Sequence, residues 1–345
     1  MMTSEEMYVF LKEKLQDVVP DVELRYKAEL AAQSNELKIK KNAVILGHNY
    51  MEPALFHSVA DFKGDSLELS RKAAETDKSI IVFCGVKFMA ETAKILNPQK
   101  MVLIPSLAGC SLAASITADD IRKLKEGFPG VPVVSYINTY ADVKAESDLC
   151  CTSGNAVAVV QSLKSETVIF LPDEFLAGNV AKQTGKHIIF PSLGESEANS
   201  SSLLDVQMIG WRGRCEVHEK YTLDDIRSIR EQFPEVTILA HPECSPEVTS
   251  AADFSGSTSA MIRYIQQTEA SQYLLLTECS MADNIAAEYP EKNMLRMCSV
   301  RCPHMNEITL ENTLQSLQQD RYQIEIPEEI RARAFQAVDR MLRIG

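Results

Sequence analysis

AVILGHNY, residues 43–50, is an apolar run that ends in three polar side chains, and two later segments repeat this design. VPVVSYIN (131–138) and VTILAHPEC (236–244) are also apolar, contain several β-branched residues and end in polar groups. Continuous apolar runs of this length are typical of parallel strands that are buried on both faces. The three segments therefore predict three equivalent parallel sheets.

Two further signals follow each predicted strand at a nearly constant distance. A hydroxyl residue comes 16 to 18 residues after the strand end, at Ser66, Ser153 and Ser257. A second apolar run comes 34 or 35 residues after it, at residues 80–83, 168–171 and 273–276. A strand–helix–strand crossover needs about 30 residues or more, so the intervening segments are expected to be helical. The spacing predicts an α/β protein built by internal triplication.

The domain organisation follows from this repeat. We expect three α/β units with parallel sheets, arranged about a pseudo-threefold axis, at residues 37–125, 126–225 and 226–325. The flanking segments, residues 1–36 and 326–345, are rich in charge and are expected to be helices that pack outside the units. Ligands bind at the carboxyl ends of parallel strands, so the polar residues that end the strands are expected to face one pocket.

One cysteine falls at an equivalent position of each unit. Cys110 and Cys302 lie 62 and 61 residues after their strand ends, whereas Cys215 lies 79 residues after its own. The polar segment GESEANSSS, residues 194–202, accounts for the longer middle unit if it is a surface insertion. The pseudo-threefold axis would then bring the three thiols together.

Three thiolates that meet on one axis suit a metal centre. A [4Fe–4S] cluster would take them as ligands to three irons and leave the fourth iron open as a Lewis acid. A mononuclear zinc ion with an open position is the competing hypothesis, since zinc also takes three protein ligands and a water. The other six cysteines are expected to be core residues, with Cys298 also a candidate redox partner or alternative ligand: Cys84, Cys150, Cys151, Cys244, Cys279 and Cys298.

Composition narrows the class of protein. The chain has 345 residues, of which 45% are apolar and 24% charged, and its formal net charge is −13. This charge argues against nucleic acid or an anionic membrane surface as the main partner. The longest apolar run, residues 80–86, is too short to cross a bilayer. The first residues carry no signal-type apolar core, so we expect a cytoplasmic protein.

The ordered set of motifs resembles the quinolinate synthase family from about residue 37 to 325. Single pieces such as HPEC carry little information, but the set at matching spacings is specific. The stretches that carry the resemblance are GHNYMEPAL (47–55), ADFKGDSLELSRKA (60–73), FCGVKFMAETAKILNP (83–98), YIN (136–138), SDLCCTSGNA (147–156), CEVHE (215–219), HPEC (241–244), SGSTS (255–259) and CPHMNEITLENTL (302–314).

The resemblance implies a fold, a cofactor and a reaction. The fold is three αβα three-layer units about a pseudo-threefold axis, and the cofactor is a [4Fe–4S] cluster on Cys110, Cys215 and Cys302. The reaction condenses iminoaspartate with dihydroxyacetone phosphate to quinolinate, with loss of phosphate and water, in NAD biosynthesis. It would make the chain a transferase, with L-aspartate oxidase as its functional partner.

The resemblance also assigns residues by motif position. Tyr50, His218 and Glu243 match acid–base residues. Other positions match substrate-binding residues of the family: His48, Ser66, Phe88, Tyr136, Asn138, Ser153, His241, Ser257, Thr258 and Met305. The remaining histidines, His57, His187 and His304, are expected to be structural or exposed. Two features depart from the family pattern, namely the insertion near residues 194–210 and the pair at 306–307, where a lysine-rich pair is common.

Two other functions compete with this one. An iron–sulfur hydro-lyase acting on a small hydroxy acid would use the same open iron but would not need a triose-phosphate site. A redox sensor or electron carrier would ordinarily use four protein ligands and few polar groups around them. Three equivalent cysteines beside many polar residues favour an enzyme over a carrier.

Overall fold

The computed structural model describes residues 2–191, 205–297 and 299–344, and these form three sheets of parallel strands. The first sheet has the order β2-β1-β3-β4, the second β6-β5-β7-β9-β8 and the third β11-β10-β12-β13. The strands are β1 Ala43–His48, β2 Phe62–Gly64, β3 Ile80–Cys84, β4 Met101–Leu103, β5 Val133–Tyr136, β6 Leu149–Cys151, β7 Val168–Leu171, β8 Ile188–Ile189, β9 Met208–Gly210, β10 Val236–Ala240, β11 Phe254–Ser255, β12 Gln272–Leu276 and β13 Met294–Leu295. The predicted α/β class with three parallel-sheet units is confirmed.

Helices connect the strands in the same order in each unit. Two helices precede the third strand, one follows it, and another comes after the fourth strand. The helices are α1 Ser4–Leu15, α2 Asp21–Lys40, α3 Pro53–Ser58, α4 Ser66–Glu75, α5 Lys87–Leu96, α6 Ala118–Gly127, α7 Ala141–Ala145, α8 Ala156–Ser162, α9 Glu174–Thr184, α10 Leu223–Gln232, α11 Pro246–Ala251, α12 Thr258–Gln267, α13 Ser280–Glu288, α14 Leu310–Gln319 and α15 Glu328–Leu342. No helix among the described residues is both long and apolar enough to cross a membrane.

The second unit contains an additional element. The short strand β8 pairs with β9 at the edge of the sheet, and among the described residues neither of the other two sheets has a counterpart to it. Thus part of the extra length of this unit is strand. The predicted insertion at 194–202 lies wholly within residues 192–204, which are outside the described residues, so it stays a prediction. The unit boundaries likewise stay predictions.

An aspartate ties each central strand to the connection that follows it. Asp61 Oδ2 accepts a hydrogen bond of 2.8 Å from the backbone N–H of Ile45, and the Asp61 N–H donates back to the Ile45 carbonyl at 2.9 Å. The same reciprocal pair joins Asp148 to Val133 and Asp253 to Ile238. We call each of these reciprocal pairs of hydrogen bonds a bracket. The three brackets lie at equivalent positions of the three units and so show the triplication at atomic detail. They were not identified from the sequence.

Removing one bracket is expected to destabilise the fold. Asp148→Ala leaves the Val133 amide of a buried strand without its side-chain acceptor, which costs about 1–3 kcal/mol of unfolding free energy. Asp224→Ala is the control, because Asp224 pairs with Arg227 on the surface and its side chain is 86% exposed. Urea unfolding of both variants measures the difference. Equal midpoints for the two variants would show that the bracket contributes nothing.

Hydrogen bonds between the three units connect them in a ring. Asn284 on α13 of the third unit donates from Nδ2 to the carbonyl oxygens of Asn49 and Met51 in the first unit, at 3.2 and 2.9 Å. Equivalent helices make the other two junctions. Asn179 on α9 donates to the carbonyls of Pro242 and Cys244, and Glu91 on α5 accepts from the Ala141 N–H. Each unit therefore contacts the loop after the first strand of the next unit, as a pseudo-threefold axis requires.

Candidate active site

The strand ends of all three units face one cleft. Its empty volume is about 710 Å³, part of which is open to solvent. All three predicted cluster ligands line it, and so do twelve of the other thirteen predicted site residues: His48, Tyr50, Ser66, Phe88, Tyr136, Asn138, Ser153, His218, His241, Glu243, Thr258 and Met305. The exception is Ser257, which is buried and caps α12 by accepting a hydrogen bond from the Ala260 N–H.

The three cysteines lie in loops of the same local structure. Backbone N–H groups two and three residues further along the chain donate to each sulfur. A one-turn 3₁₀ helix begins three residues after each cysteine, and a threonine seven residues after it caps the next long helix. These turns are Ala113–Ser115, His218–Lys220 and Met305–Glu307, and the caps are Thr117, Thr222 and Thr309. The constant spacing to threonine is visible in the sequence and was missed.

Each cysteine loop is anchored two residues before its thiol. The carbonyl oxygens of Ala108, Gly213 and Val300 accept hydrogen bonds from the backbone turn that follows the third strand of their unit, at 2.9, 2.8 and 3.2 Å. Gly213 approaches this turn so closely that an added Cβ would lie 2.6 Å from the Pro172 carbonyl oxygen. The backbone thus fixes each thiol relative to its sheet.

The cysteines form one electrostatic group. Besides burial, a negative charge on Cys302 raises the pKa of Cys110, and one on Cys110 raises the pKa of Cys215. Burial raises the pKa of Cys110 to about 12 and that of Cys302 to about 11, and it raises the pKa of Cys215 well above its usual range. The thiols are therefore protonated until a metal displaces the proton. Three like loops with N–H donors on each sulfur fit a cluster held by three thiolates, because such hydrogen bonds stabilise cluster sulfurs.

Glu243 is the centre of a polar network beside Cys215. Its Oε2 lies 2.7 Å from His218 Nδ1, and its Oε1 accepts a hydrogen bond of 3.1 Å from Asn138. Burial alone would raise the pKa of Glu243, but the charge and hydrogen bond of His218 outweigh it and hold that pKa well below its usual range. The carboxylate is therefore ionised, which is the protonation state that a proton acceptor needs.

Two phenols complement this base. Burial, reinforced by the negative charge of Glu243, raises the pKa of both Tyr50 and Tyr136 well above the ordinary value. Both hydroxyl groups keep their protons at neutral pH and can donate them. The cleft thus holds a base and two weak acids within one hydrogen-bonded region, which is the composition that proton transfer to and from a bound substrate needs.

His48 and His241 share one geometry at equivalent strand ends. In each ring Nδ1 accepts a hydrogen bond of 3.3 Å from the backbone N–H two residues further on, from Tyr50 and Glu243 respectively. Burial lowers the pKa of His48 to about 4 and, together with the neighbouring His218, that of His241 to about 3. Both rings are therefore neutral, and the accepted bond leaves the hydrogen on Nε2. Each ring offers one N–H donor to a ligand.

The hydroxyl residues gather where helices of two units begin. Ser66 is the first residue of α4 and Thr258 the first of α12. The N–H of Asp65, the N-cap of α4, donates to Ser259 Oγ in the first turn of α12 at 3.2 Å, so the two helix starts are held together. The N-terminal end of a helix attracts anions through its free N–H groups and its dipole. This end of the cleft can hold a carboxylate or a phosphate.

Thr277 links the network and was not identified from the sequence. Its buried hydroxyl lies 2.5 Å from the Tyr50 hydroxyl and 2.9 Å from His218 Nε2. Thr277→Val is expected to lower the unfolding free energy by about 1–3 kcal/mol, because both partners lose their hydrogen bond in a buried place. Thr277→Ser keeps the hydroxyl and should lose less. Urea unfolding distinguishes them, and equal losses would mean that packing alone matters here.

The remaining histidines and cysteines lie partly where the sequence predicted. His304 was expected to be structural or exposed, but it lines the cleft and its Nε2 lies 3.0 Å from Glu216 Oε1. Its position two residues after Cys302 was the available signal. His57 is buried and His187 exposed. Cys298 lies outside the described residues, while the other five expected core cysteines are buried: Cys84, Cys150, Cys151, Cys244 and Cys279.

Comparison with known proteins agrees with this geometry. Residues 32–343 match the family model described as Quinolinate synthetase A protein. The relative named quinolinate synthase 2 from Mesorhizobium japonicum is 51% identical over 345 residues, the full length of both chains. The quinolinate synthases of Agrobacterium fabrum and Xylella fastidiosa are 53% and 51% identical over 310 residues, which is 90% of this chain and 84% and 85% of theirs. The resemblance read from the motifs is confirmed, and the chain belongs to the quinolinate synthetase A family.

Proposed function

We propose that this chain is a quinolinate synthase. It would condense iminoaspartate with dihydroxyacetone phosphate and release phosphate and water as the pyridine ring closes, which makes it a transferase of NAD biosynthesis. One observation carries the proposal: three like cysteine loops and the network of Glu243, His218 and Tyr50 line a single cleft in a member of this family.

Cys110, Cys215 and Cys302 would hold a [4Fe–4S] cluster. When bound, the cluster would supply an open iron that acts as a Lewis acid on a departing hydroxyl group. The equivalent loops support three thiolate ligands of one kind. No fourth cysteine lines the cleft among the described residues, so a cluster on these three thiols would keep one iron without a cysteine ligand.

Hydroxyl groups, two histidine rings and two apolar side chains of the cleft would hold the substrates. Ser66, Ser153 and Thr258, at or just before helix starts, are suited to the phosphate and carboxylate oxygens. The neutral rings of His48 and His241 would each donate one hydrogen bond from Nε2 without adding a charge. Phe88 and Met305 would exclude water from the reacting atoms, since both are buried.

Glu243 would take protons from carbon or nitrogen as the new bonds form. His218 donates to its Oε2 and so keeps the carboxylate in one orientation. Tyr50 would return protons to leaving oxygen atoms, because its hydroxyl stays protonated at neutral pH. General acid–base catalysis of this kind contributes about 10²–10⁴-fold in rate.

The substrate's chemistry implies a partner reaction. Iminoaspartate is an imine that hydrolyses in water, so it must be made close to the time of use by oxidation of L-aspartate. We infer that L-aspartate oxidase is the functional partner of this chain. Neither a nucleic acid nor a membrane is needed for this chemistry, in keeping with the net charge of −13.

Product analysis tests the proposal. The protein is reconstituted with iron and sulfide without oxygen, then supplied with dihydroxyacetone phosphate and with iminoaspartate generated in place by L-aspartate oxidase. We expect quinolinate by mass spectrometry and one phosphate released per quinolinate. Phosphate release without a pyridine dicarboxylate would reject the assignment. Dehydration of a small hydroxy acid without any triose phosphate would instead favour the hydro-lyase.

A further inference from the structure

Cys215 belongs to a second group of potential metal ligands. Its Sγ lies 3.2 Å from His218 Nδ1, and Glu243 Oε2 lies 2.7 Å from the same nitrogen. One donor atom from each residue lies within 4.8 Å of the other two, and no other such trio of His, Cys, Asp or Glu occurs in residues 2–191, 205–297 and 299–344. We propose that Cys215, His218 and Glu243 form a zinc site that competes with assembly of the cluster.

The trio is close to the geometry that zinc needs. Zinc bonds to sulfur at about 2.3 Å and to nitrogen or oxygen at about 2.0–2.2 Å, so tetrahedral ligand atoms lie roughly 3.3–3.7 Å apart. The Cys215–His218 separation of 3.2 Å is nearly at this value. The His218–Glu243 separation of 2.7 Å is that of a hydrogen bond, and it must widen by roughly 0.6 Å when a metal replaces the shared hydrogen.

The surroundings already orient the ligands. His218 and Glu243 are each only 2% exposed. The second ring nitrogen of His218 lies 2.9 Å from Thr277 Oγ1, and the second oxygen of Glu243 accepts from Asn138. Partners of this kind fix ring tautomer and carboxylate orientation at zinc sites. On binding, the His218 Nδ1 proton and the Cys215 thiol proton pass to solvent, and the ring hydrogen that remains is on Nε2, where Thr277 Oγ1 can accept it.

The donor set selects zinc over iron. Sulfur, imidazole nitrogen and carboxylate oxygen with one open position match the three-ligand arrangement of open zinc sites. Ferrous iron binds most sites of this type less tightly than zinc does. Cys215 has one sulfur atom, and this atom cannot be a ligand of the zinc site and of a three-thiolate cluster at the same time. The competition rests on the proposed cluster, whereas zinc binding by the trio does not.

Metal binding to the cluster-free protein tests the site directly. Zinc stoichiometry is measured by calorimetry, and Co²⁺ is used in parallel as a spectroscopic probe. We expect one Zn²⁺ per chain and a cobalt spectrum with tetrahedral d–d bands and charge transfer from one thiolate. Cys215→Ala and Glu243→Gln should each weaken binding by more than about 100-fold, beyond the 10–100-fold cost of altering a residue outside the ligand set.

Two variants serve as matched controls. Cys110→Ala removes another cleft thiol and Glu278→Gln another buried cleft carboxylate, and both should keep the zinc affinity of the native chain. Circular dichroism confirms that each variant is folded. Unchanged zinc affinity in Cys215→Ala or Glu243→Gln overturns the proposal, as does loss of binding in Cys110→Ala, which would indicate a site made of thiols.

A second measurement separates this proposal from the proposed function. The rate at which four irons are incorporated is measured with and without one equivalent of Zn²⁺. Zinc should lower this rate at least about tenfold in the native chain, and it should not change the rate in Glu243→Gln. If Glu243→Gln is slowed as much as the native chain, the trio is not where zinc interferes. Failure of the native chain to load iron without zinc counts against the cluster, and the zinc titration still decides the trio.

Discussion

Cys215→Ala is expected to prevent assembly of the proposed [4Fe–4S] cluster and to lower quinolinate formation strongly. The three cysteine loops are equivalent, so loss of one thiolate would leave an iron of the proposed cluster without a protein ligand and expose the cluster to decay. Loss of a Lewis acid removes several kcal/mol of transition-state stabilisation, which is a fall of about 10³-fold or more in kcat/KM. Iron and sulfide analysis should find about four irons per native chain. Mössbauer spectroscopy should detect the spectrum of a [4Fe–4S] cluster in the native chain and not in the variant.

The matched control is Cys244→Ala. Cys244 is buried close to Glu243 in the sequence but is not one of the residues that line the cleft. It should retain four irons per chain. Cys110→Ala and Cys302→Ala should behave as Cys215→Ala does. A variant of any of these three that keeps its full iron content and activity would refute the three-thiolate site.

Glu243→Gln is expected to lower kcat by about 10²–10⁴-fold, the usual contribution of a general base. Glutamine keeps the shape and can still accept from Asn138, but it cannot take a proton from the substrate. The iron content should stay at the native value, because the three thiols are unchanged. Steady-state kinetics on protein of known iron content gives the effect on turnover separately from cluster loading.

Glu247→Gln controls for the loss of one negative charge. Glu247 lies four residues further along the chain, on the exposed side of α11. Its turnover should equal that of the native enzyme. If Glu243→Gln loses activity only in proportion to lost iron, then Glu243 supports the metal centre and has no separate role in proton transfer.

Much of the site was predictable because the chain repeats itself. Equivalent spacing identified Cys110, Cys215 and Cys302, and the structure places all three around one cleft. His48 and His241 were paired by their position after like strands, and they share a ring geometry. Repetition works here because strand ends and crossover lengths are local properties that each unit fixes by itself.

Contacts between units were not predictable in this way. Thr277 touches Tyr50 from 227 positions away in the sequence, and nothing about a threonine after an apolar strand indicates its partner. Asn284 reaches Asn49 across 235 positions. Such pairs depend on how the units pack, which no period in the sequence encodes. The aspartate brackets differ, since aligning the three units would have revealed them.

The connection of the three units in a ring also affects when, during synthesis of the chain, the proposed metal centre can assemble. Cys302 lies 192 residues after Cys110, and the last junction, from Asn284 to the first unit, forms only when the third unit is present. At about 5–20 residues per second of translation, the earlier thiol waits roughly 10–40 seconds for its distant companion. During that interval the nascent chain contains Cys110 but does not yet contain Cys302. A cluster on the three proposed cysteines could therefore be completed only after Cys302 has been translated.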